Sequence, residues 1–263
     1  MALAGQQPVA PEDVPVQRIP LTEPERLANA IAAFKPTRVI HAGALTAVAA
    51  CYQDPELARQ CNVVATEAIA AAAERVGARL VFTSTDMVFR GDAAPYTETD
   101  APDADSIYGQ SKIAAEQVLV GRPGVVVVRI PLLYGFPTTP RSSTFRNQVA
   151  GLLGGEPLKM FHDEWRTSVS LRETAAMLVG VADSSAEGLW HLAGPERLSR
   201  LDLILKVADL LGAATDQVTS ISRLSIESSE PRPEDLSLVG TRLAALLPDL
   251  APQAMERRDV TPA

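Results

Sequence analysis

Residues 79–119 constrain the fold of this chain more than any other stretch. They open with a short apolar run at residues 80–82, and β-branched and aromatic residues of this kind are typical of a strand buried on both faces. Hydroxyl side chains follow directly, at Thr83, Ser84 and Thr85. Because ligands bind at the carboxyl ends of parallel strands, we expect a ligand site at the end of this strand.

A tyrosine and a lysine begin the next predicted helix, in the sequence YGQSK from Tyr108 to Lys112. Their spacing of four residues places both side chains on one helical face, where the ammonium can stabilise a phenolate. An ordinary tyrosine pKa of about 10 makes a poor acid at neutral pH, and a neighbouring cation lowers it. Thr85 can hydrogen-bond the same substrate oxygen. The pattern therefore indicates acid–base chemistry, and the alternative is a purely structural pair on an amphipathic helix.

These residues resemble the extended short-chain dehydrogenase/reductases, and within them the dTDP-4-dehydrorhamnose reductase group. The resemblance rests on STDMVF at residues 84–89 and on YGQSK followed by Glu116. It implies that Thr85 is the catalytic Ser/Thr and that Tyr108 is the catalytic acid. It also implies that Lys112 lowers the tyrosine pKa and contacts the nicotinamide ribose.

The same resemblance implies the ligands and the remaining contacts. The cofactor is NADPH or NADH, and the substrate is a small-molecule nucleotide sugar. Besides Tyr108 and Lys112, the residues assigned to the cofactor are Ala42, Gly43, Ala44, Asn62 and Ile130. The residues assigned to the substrate are Thr85, Arg166 and Arg232, with Arg141 as a further candidate. Arginines can bind a diphosphate through charge-assisted forks, and the alternative for each is a structural or surface ion pair.

Strands and helices alternate through the first half of the sequence. Helices are predicted over residues 23–34 and 54–76, and strands over residues 38–41 and 125–130. This alternation predicts an α/β fold with a Rossmann-like, doubly wound parallel sheet. We expect residues 1–136 to form an incomplete dinucleotide-binding domain. Residues 137–263 would mainly form a smaller α+β substrate-binding lobe, interleaved with late strands of the sheet.

The glycine-rich turn of dinucleotide folds is the missing feature. In such folds the backbone of this turn approaches the pyrophosphate at a helix N-terminus. No G-x-G-x-x-G or G-x-x-G-x-x-G occurs in the 263 residues. We therefore expect an N-terminally incomplete sheet in a shortened version of a longer chain, with weak dinucleotide binding and poor solubility.

Composition excludes several other classes of function. A net charge of −8 supplies no basic stripe for nucleic acid. Neither a secretory signal nor an apolar run long enough for a membrane span occurs, and with only Cys51 and Cys61 we expect a cytoplasmic protein with reduced thiols. The three histidines lack metal-ligand spacing, so no metal is assigned. We consider a homodimer as the assembly.

Two functions follow from the sequence. The first is an oxidoreductase that reduces a keto group on a nucleotide-linked deoxysugar with NAD(P)H, which the set Thr85, Tyr108 and Lys112 favours. The second is a non-catalytic regulatory or binding subunit of the same fold, like the beta subunit of methionine adenosyltransferase. The missing glycine-rich turn favours this second function, or a truncated gene product with impaired cofactor binding.

Overall fold

Strands alternate with helices along the first half of the chain, which confirms the predicted α/β fold. The computed structural model describes residues 1–4, 14–138 and 143–261. Its strands are β1 (Ala2–Ala4), β2 (Val16–Arg18), β3 (Arg38–His41), β4 (Arg79–Thr85), β5 (Val125–Ile130), β6 (Leu133–Tyr134), β7 (Leu158–Phe161), β8 (Trp165–Arg166), β9 (Val169–Ser170), β10 (Gly188–His191), β11 (Leu198–Ser199) and β12 (Val218–Ile221). Its α-helices are α1 (Pro24–Phe34), α2 (Val48–Gln53), α3 (Pro55–Arg59), α4 (Ala65–Arg75), α5 (Ile107–Gln117), α6 (Thr144–Gly154), α7 (Leu171–Asp183), α8 (Arg200–Leu211) and α9 (Thr241–Leu246).

Two compact units divide the chain. The first comprises Met1–Phe89, Ala101–Arg129 and Leu178–Trp190, and the second comprises Arg90–Asp100, Ile130–Met177 and His191–Ala263. Among the described residues, no helix has both the length and the apolar character needed to cross a bilayer.

A four-stranded sheet in the order β10-β5-β4-β3 forms the centre of the first unit. Strands β3 and β4 are parallel, with Ile40 opposite Val81. Strand β4 is buried at every position after Arg79, as its apolar sequence predicts. Strands β1 and β2 form a separate parallel pair. The helix predicted over residues 54–76 is present as α3 and α4, joined by a π-helical turn at Gln60–Val64.

The core of the first unit joins these strands to two helices. Buried side chains at helical spacing on α1 and α4 form one apolar cluster with β4, and its large members include Leu27, Ile31, Ile69, Leu80 and Phe82. Each fully buried side chain of this size stabilises the fold by about 1.5–3 kcal/mol. This cluster fixes β4, and therefore the polar residues at its carboxyl end.

Short two-stranded sheets and a helical core characterise the second unit. Strands β7 and β12 pair in parallel, as do β6 and β9, while β8 and β11 are antiparallel. A separate apolar cluster packs α6 against α8 through Phe145, Val149, Leu152, Ile204 and Val207. Helix α8 begins with a capping box between Ser199 and Asp202.

The phenol of Tyr96 organises a loop of the second unit. Its oxygen accepts hydrogen bonds from the backbone N–H groups of Gly91, Asp92 and Ala93, each at 3.0 Å. Tyr96 is buried, and its backbone N–H donates to the carbonyl of Ser237 at 2.8 Å. One side chain therefore satisfies three backbone donors in this loop.

We expect Tyr96→Phe to lower the free energy of unfolding by about 1–3 kcal/mol, because it leaves backbone N–H groups without their acceptor. Chemical denaturation would measure this loss. The matched control is Tyr52→Phe, since Tyr52 is 50% exposed and the same atom is removed. Equal stabilities of the two variants would show that solvent replaces the phenol oxygen without cost.

Candidate active site

Thr85 ends β4, and its hydroxyl is held by the turn that follows. Its Oγ1 accepts a hydrogen bond from the Met87 N–H at 3.2 Å and donates one to Asp86 Oδ1 at 3.2 Å. Thr85 and Asp86 are both buried. The hydroxyl that the sequence assigns to the substrate is therefore held in place before any ligand binds.

Helix α5 brings Tyr108 to this strand end. The helix begins after Ser106, whose Oγ accepts a hydrogen bond from the Gly109 N–H at 3.1 Å. Tyr108 therefore lies in the first helical turn, where it is 8% exposed and packs with Cys51 and Ala58. The Thr85 side chain lies close enough to Tyr108 to influence its pKa. The structure thus brings two of the three predicted catalytic residues close together.

Burial raises the pKa of Tyr108 well above its ordinary value. The polar side chain of Thr85 opposes this rise in pKa, whereas the charges of Asp86 and Cys51 add to it. Tyr108 is therefore a neutral acid at physiological pH. The pKa of Tyr108 is set by burial and by its neighbours Thr85, Asp86 and Cys51. That Lys112 lowers the pKa of Tyr108 therefore stays a prediction.

Lys112 lies one helical turn after Tyr108 and is almost fully buried. Its Nζ donates to the carbonyl of Thr83 at 2.9 Å and lies 3.9 Å from the centre of the Phe82 ring. Burial lowers the pKa of Lys112 to about 7, and the charge of Glu116 opposes this shift. The ammonium is thus directed at the same strand end as Tyr108.

A buried ion pair supports the other end of α5. Glu116 accepts two hydrogen bonds from Arg129, at 2.9 Å from Nε and 2.7 Å from Nη2. The Arg129 side chain is only 2% exposed, and its guanidinium lies 4.9 Å from the centre of the Phe89 ring. This bidentate geometry fixes the helix that carries Tyr108 and Lys112 to the end of β5.

Gly109 explains how α5 approaches the turn after β4 so closely. A Cβ atom at this position would lie 2.3 Å from the carbonyl oxygen of Met87 and 2.5 Å from the Cβ of Ala104. Both distances are far below van der Waals contact. Only glycine therefore allows this approach, which sets Tyr108 beside Thr85.

We expect Gly109→Ala to lower the free energy of unfolding by about 1–3 kcal/mol, because the added methyl group must displace backbone. The same displacement should separate Tyr108 from Thr85. Chemical denaturation would measure the stability. Gly154→Ala is the control, since its Cβ would meet the nearest atom, Glu156 Cγ, at an ordinary 3.8 Å. If both variants were equally stable, the close approach would not constrain this position.

Asn62 joins the loop after β3 to the first turn of α5. Its Oδ1 accepts from the Leu45 N–H at 2.7 Å, and its Nδ2 donates to the Leu45 carbonyl at 3.0 Å and to Ser111 Oγ at 2.9 Å. Ser111 Oγ in turn donates to the Tyr108 carbonyl at 2.7 Å. Asn62 lies in the π-helical turn and is fully buried. The structure therefore shows Asn62 in contact with protein on both sides of its amide.

The predicted substrate arginines belong to the second unit. Arg232 donates from Nε to Glu164 Oε1 at 2.5 Å, and its guanidinium lies 4.5 Å from the centre of the Phe161 ring. Glu164 directly precedes β8, which contains the buried Arg166. The structure thus places both arginines around one short strand. Arg141 lies outside the described residues.

A family model described as RmlD substrate binding domain matches residues 4–255. This chain belongs to that family. The curated protein "Methionine adenosyltransferase 2 subunit beta" of Rattus norvegicus is 27% identical over 88% of this chain and 71% of its own length. A "probable low-salt glycan biosynthesis reductase" of Haloferax volcanii is 26% identical over 90% of this chain and 82% of its own.

Solved structures similar to this RmlD-family chain share its fold. The dTDP-4-dehydrorhamnose reductase of Yersinia enterocolitica has a TM-score of 0.81 and 24% identity, covering 95% of this chain and 90% of its own. The corresponding protein of Clostridium acetobutylicum has a TM-score of 0.79 and 27% identity, and the match covers 90% of this chain and 86% of that protein. The Bacillus anthracis protein was solved in complex with NADP. It has a TM-score of 0.81 and 23% identity, and the match covers 89% of this chain and 83% of that protein.

Three residues of this RmlD-family site were not predicted from the sequence. They are Asp86 beside Thr85, Gly109 beneath the turn, and Ser111 between Asn62 and the Tyr108 carbonyl. The sequence carries a signal for each of them. Asp86 directly follows the hydroxyl residues 83–85, and Gly109 and Ser111 are poor helix formers inside a predicted helix. Among the described residues, no group of three or more His, Cys, Asp or Glu side chains is arranged to hold a metal ion.

Proposed function

We propose that this chain is an NAD(P)H-dependent reductase of a keto group on a nucleotide-linked deoxysugar, of the dTDP-4-dehydrorhamnose reductase type. The observation that carries this proposal is the placement of Tyr108 beside the Thr85 end of β4, with the buried Lys112 one helical turn away and bonded to the Thr83 carbonyl of the same strand. The reductases among the relatives and solved structures support the substrate class. Arg166 and Arg232 are proposed contacts for the diphosphate of that substrate.

The residues at the end of β3 support a nicotinamide cofactor. Ala42 and Gly43 are exposed and Ala44 is half-buried, so little side chain covers the backbone there. A Cβ at Gly43 would lie 3.4 Å from Leu21 Cδ2, an ordinary contact with a side-chain end, so the backbone here is open to a neighbouring group. A flat ring fits against such a backbone. We propose Ala42, Gly43, Ala44 and Ile130 as the side of the site that faces the cofactor, with the buried Asn62 supporting the loop after β3 from behind.

The chemistry divides simply among the three catalytic residues. A bound dihydronicotinamide supplies a hydride for the carbonyl carbon of the substrate. Tyr108 gives its proton to the carbonyl oxygen, so that the ketone becomes an alcohol, and the Thr85 hydroxyl turns from Asp86 to hold that oxygen by a hydrogen bond. The phenolate left on Tyr108 is stabilised by the Lys112 ammonium.

Binding and turnover of the full chain test this function. NADPH and NADH would be titrated separately by fluorescence or calorimetry, and dTDP-4-dehydrorhamnose would then be added while oxidation of the cofactor is followed by absorbance. We expect saturable binding of at least one cofactor and turnover that depends on the sugar. If the chain binds a cofactor but turns over neither this sugar nor any other dTDP- or UDP-linked keto sugar, that result contradicts the proposal.

A second candidate function is a regulatory subunit. The observation that favours it is the 27% identity to "Methionine adenosyltransferase 2 subunit beta" over 88% of this chain. Size-exclusion chromatography with a methionine adenosyltransferase catalytic subunit would test it. A stable complex that changes the activity of that subunit would support the regulatory role, and separate elution would contradict it.

A further inference from the structure

The aromatic ring of Phe82 on β4 contacts two basic side chains from different elements of the first unit. Lys112 of α5 places its Nζ over the ring face, 3.9 Å from the ring centre. His41 of β3 lies beside the same ring, with the two ring centres 5.5 Å apart and an angle of 42° between the ring planes. Phe82 is fully buried, so it meets both neighbours without bulk water between them.

The Lys112 ammonium depends on few neighbours for its charge. Its side chain is almost fully buried, and one of its N–H donors bonds to the Thr83 carbonyl at 2.9 Å. Burial lowers the pKa of Lys112 to about 7, and the charge of Glu116 opposes this shift, although Glu116 is itself paired with Arg129. An aromatic face attracts a cation that lies within about 6 Å of the ring centre. The Phe82 ring therefore favours the charged form of Lys112 directly.

The imidazole of His41 does not compete for this ring as a second cation. Thr66 Oγ1 lies 2.7 Å from the Asn62 carbonyl, which can only accept, so the Thr66 proton is donated there. A lone pair of Thr66 Oγ1 then accepts from His41 Nε2 at 3.0 Å. Burial and the charge of Lys112 lower the pKa of His41 to about 3. Near physiological pH the ring thus meets one ammonium and one neutral imidazole.

We propose that Phe82 is a positioning residue for the reaction, because its ring face binds the Lys112 ammonium and keeps it charged. This inference rests on the proposed reductase function. The phenolate left on Tyr108 after proton transfer is stabilised by Lys112 only while Lys112 is protonated. The Thr83 carbonyl directs the ammonium to the strand, and the Phe82 ring maintains its positive charge. A side chain without a polar atom therefore acts on proton transfer through Lys112.

The charged and titratable groups around Lys112 come from each element packed against it. Glu116 and Tyr108 lie on the same helix, one turn after Lys112 and one turn before it. His41 faces Lys112 from β3, Arg129 of β5 binds Glu116, and α4 meets His41 through an uncharged hydroxyl. Fluorine in place of hydrogen on the aromatic ring leaves all of these groups unchanged. It withdraws electron density from the ring face alone, so its effect can be read directly.

Titration of Lys112 by carbon NMR tests the proposal without relying on turnover. The chain contains four lysines, so isotope-labelled lysine gives few side-chain signals, and Lys112→Met identifies the relevant one. Mono-, di- and trifluorophenylalanine would each be incorporated in place of Phe82 alone. We expect the Lys112 pKa to fall with each added fluorine, by about one unit in total, since the weaker ring face stabilises the ammonium less. An unchanged Lys112 pKa in the trifluoro variant would overturn the proposal.

Two further replacements make this titration specific. Trifluorophenylalanine in place of Phe145, which is buried in the apolar core of the second unit, should leave the Lys112 pKa unchanged. An equal shift from this control would overturn the proposal, because fluorination would then act through a general loss of stability. Cyclohexylalanine in place of Phe82 keeps the size of the side chain and removes the aromatic face, so it should lower the Lys112 pKa at least as much as trifluorophenylalanine. A parental pKa in that variant would show that the ring acts by packing alone, and this would also overturn the proposal.

The pH dependence of turnover links the ring to catalysis. Lys112 loses its charge as the pH rises through its pKa, so fluorination of Phe82 should move the alkaline limb of kcat/KM to lower pH. A purely structural role would lower kcat/KM equally at every pH, and that result would overturn the positioning role. If the parent chain shows no turnover, the reductase function fails, whereas the NMR titration still decides whether Phe82 maintains the charge of Lys112.

Discussion

Tyr108→Phe should lower kcat by about 10²-fold or more, the usual contribution of a positioned general acid. The substitution removes the phenol oxygen and keeps the ring, which packs with Cys51 and Ala58. The fold should therefore be retained while the proton donor is lost. Steady-state kinetics with NADPH and dTDP-4-dehydrorhamnose would measure the effect, with circular dichroism to verify the fold.

The control for this substitution is Tyr52→Phe, which removes the same atom from an exposed residue on α2 and should leave kcat unchanged. KM for the sugar should change less than kcat in Tyr108→Phe, because the hydroxyl acts mainly as oxygen gains charge. Turnover at the parental rate would remove Tyr108 from the mechanism.

Glu116→Gln should lower the free energy of unfolding by about 3–5 kcal/mol, the cost of removing one partner from a buried ion pair. Arg129 is only 2% exposed, so water cannot replace the lost carboxylate. The pKa of Lys112 should also fall below about 7, since the charge of Glu116 raises it. Chemical denaturation would measure the stability, and a lower kcat at neutral pH would report the weaker positive charge on Lys112.

Two further variants make this experiment specific. Replacing both partners, in Glu116→Met with Arg129→Leu, should destabilise less than Glu116→Gln alone, because no buried charge is left without its counterion. Glu56→Gln breaks a solvent-exposed pair with Arg59 and should change stability little. Equal stabilities of Glu116→Gln and the parent would show that the buried pair contributes no net stabilisation.

The sequence predicts the fold and the catalytic helix because both depend on local pattern. The apolar run of β4, the alternation of elements and the spacing of Tyr108 and Lys112 are all periodicities that one sequence shows. Helical spacing places two side chains on one face, as observed in α5. It does not tell which atoms of the neighbouring strand they meet.

The contacts of the site depend on distances between elements, which periodicity leaves open. Lys112 bonds to the backbone of Thr83, and nothing in its side chain indicates that choice of acceptor. The role of Gly109 follows from the path of a turn more than twenty residues earlier. The π-helical turn at Gln60–Val64 lies inside a regular apolar helical pattern, so the sequence predicts an uninterrupted helix there.

The three hydrogen bonds of Asn62 limit which residues this position can tolerate. An aspartate would place a carboxylate oxygen against the Leu45 carbonyl, where Asn62 now donates at 3.0 Å, so two acceptors would face each other. A leucine of similar size would leave the Leu45 N–H and the Ser111 hydroxyl without this partner. Only a side chain with one acceptor and two donors matches these neighbours. A substitution of Asn62 would therefore require simultaneous changes in the loop after β3 and in α5.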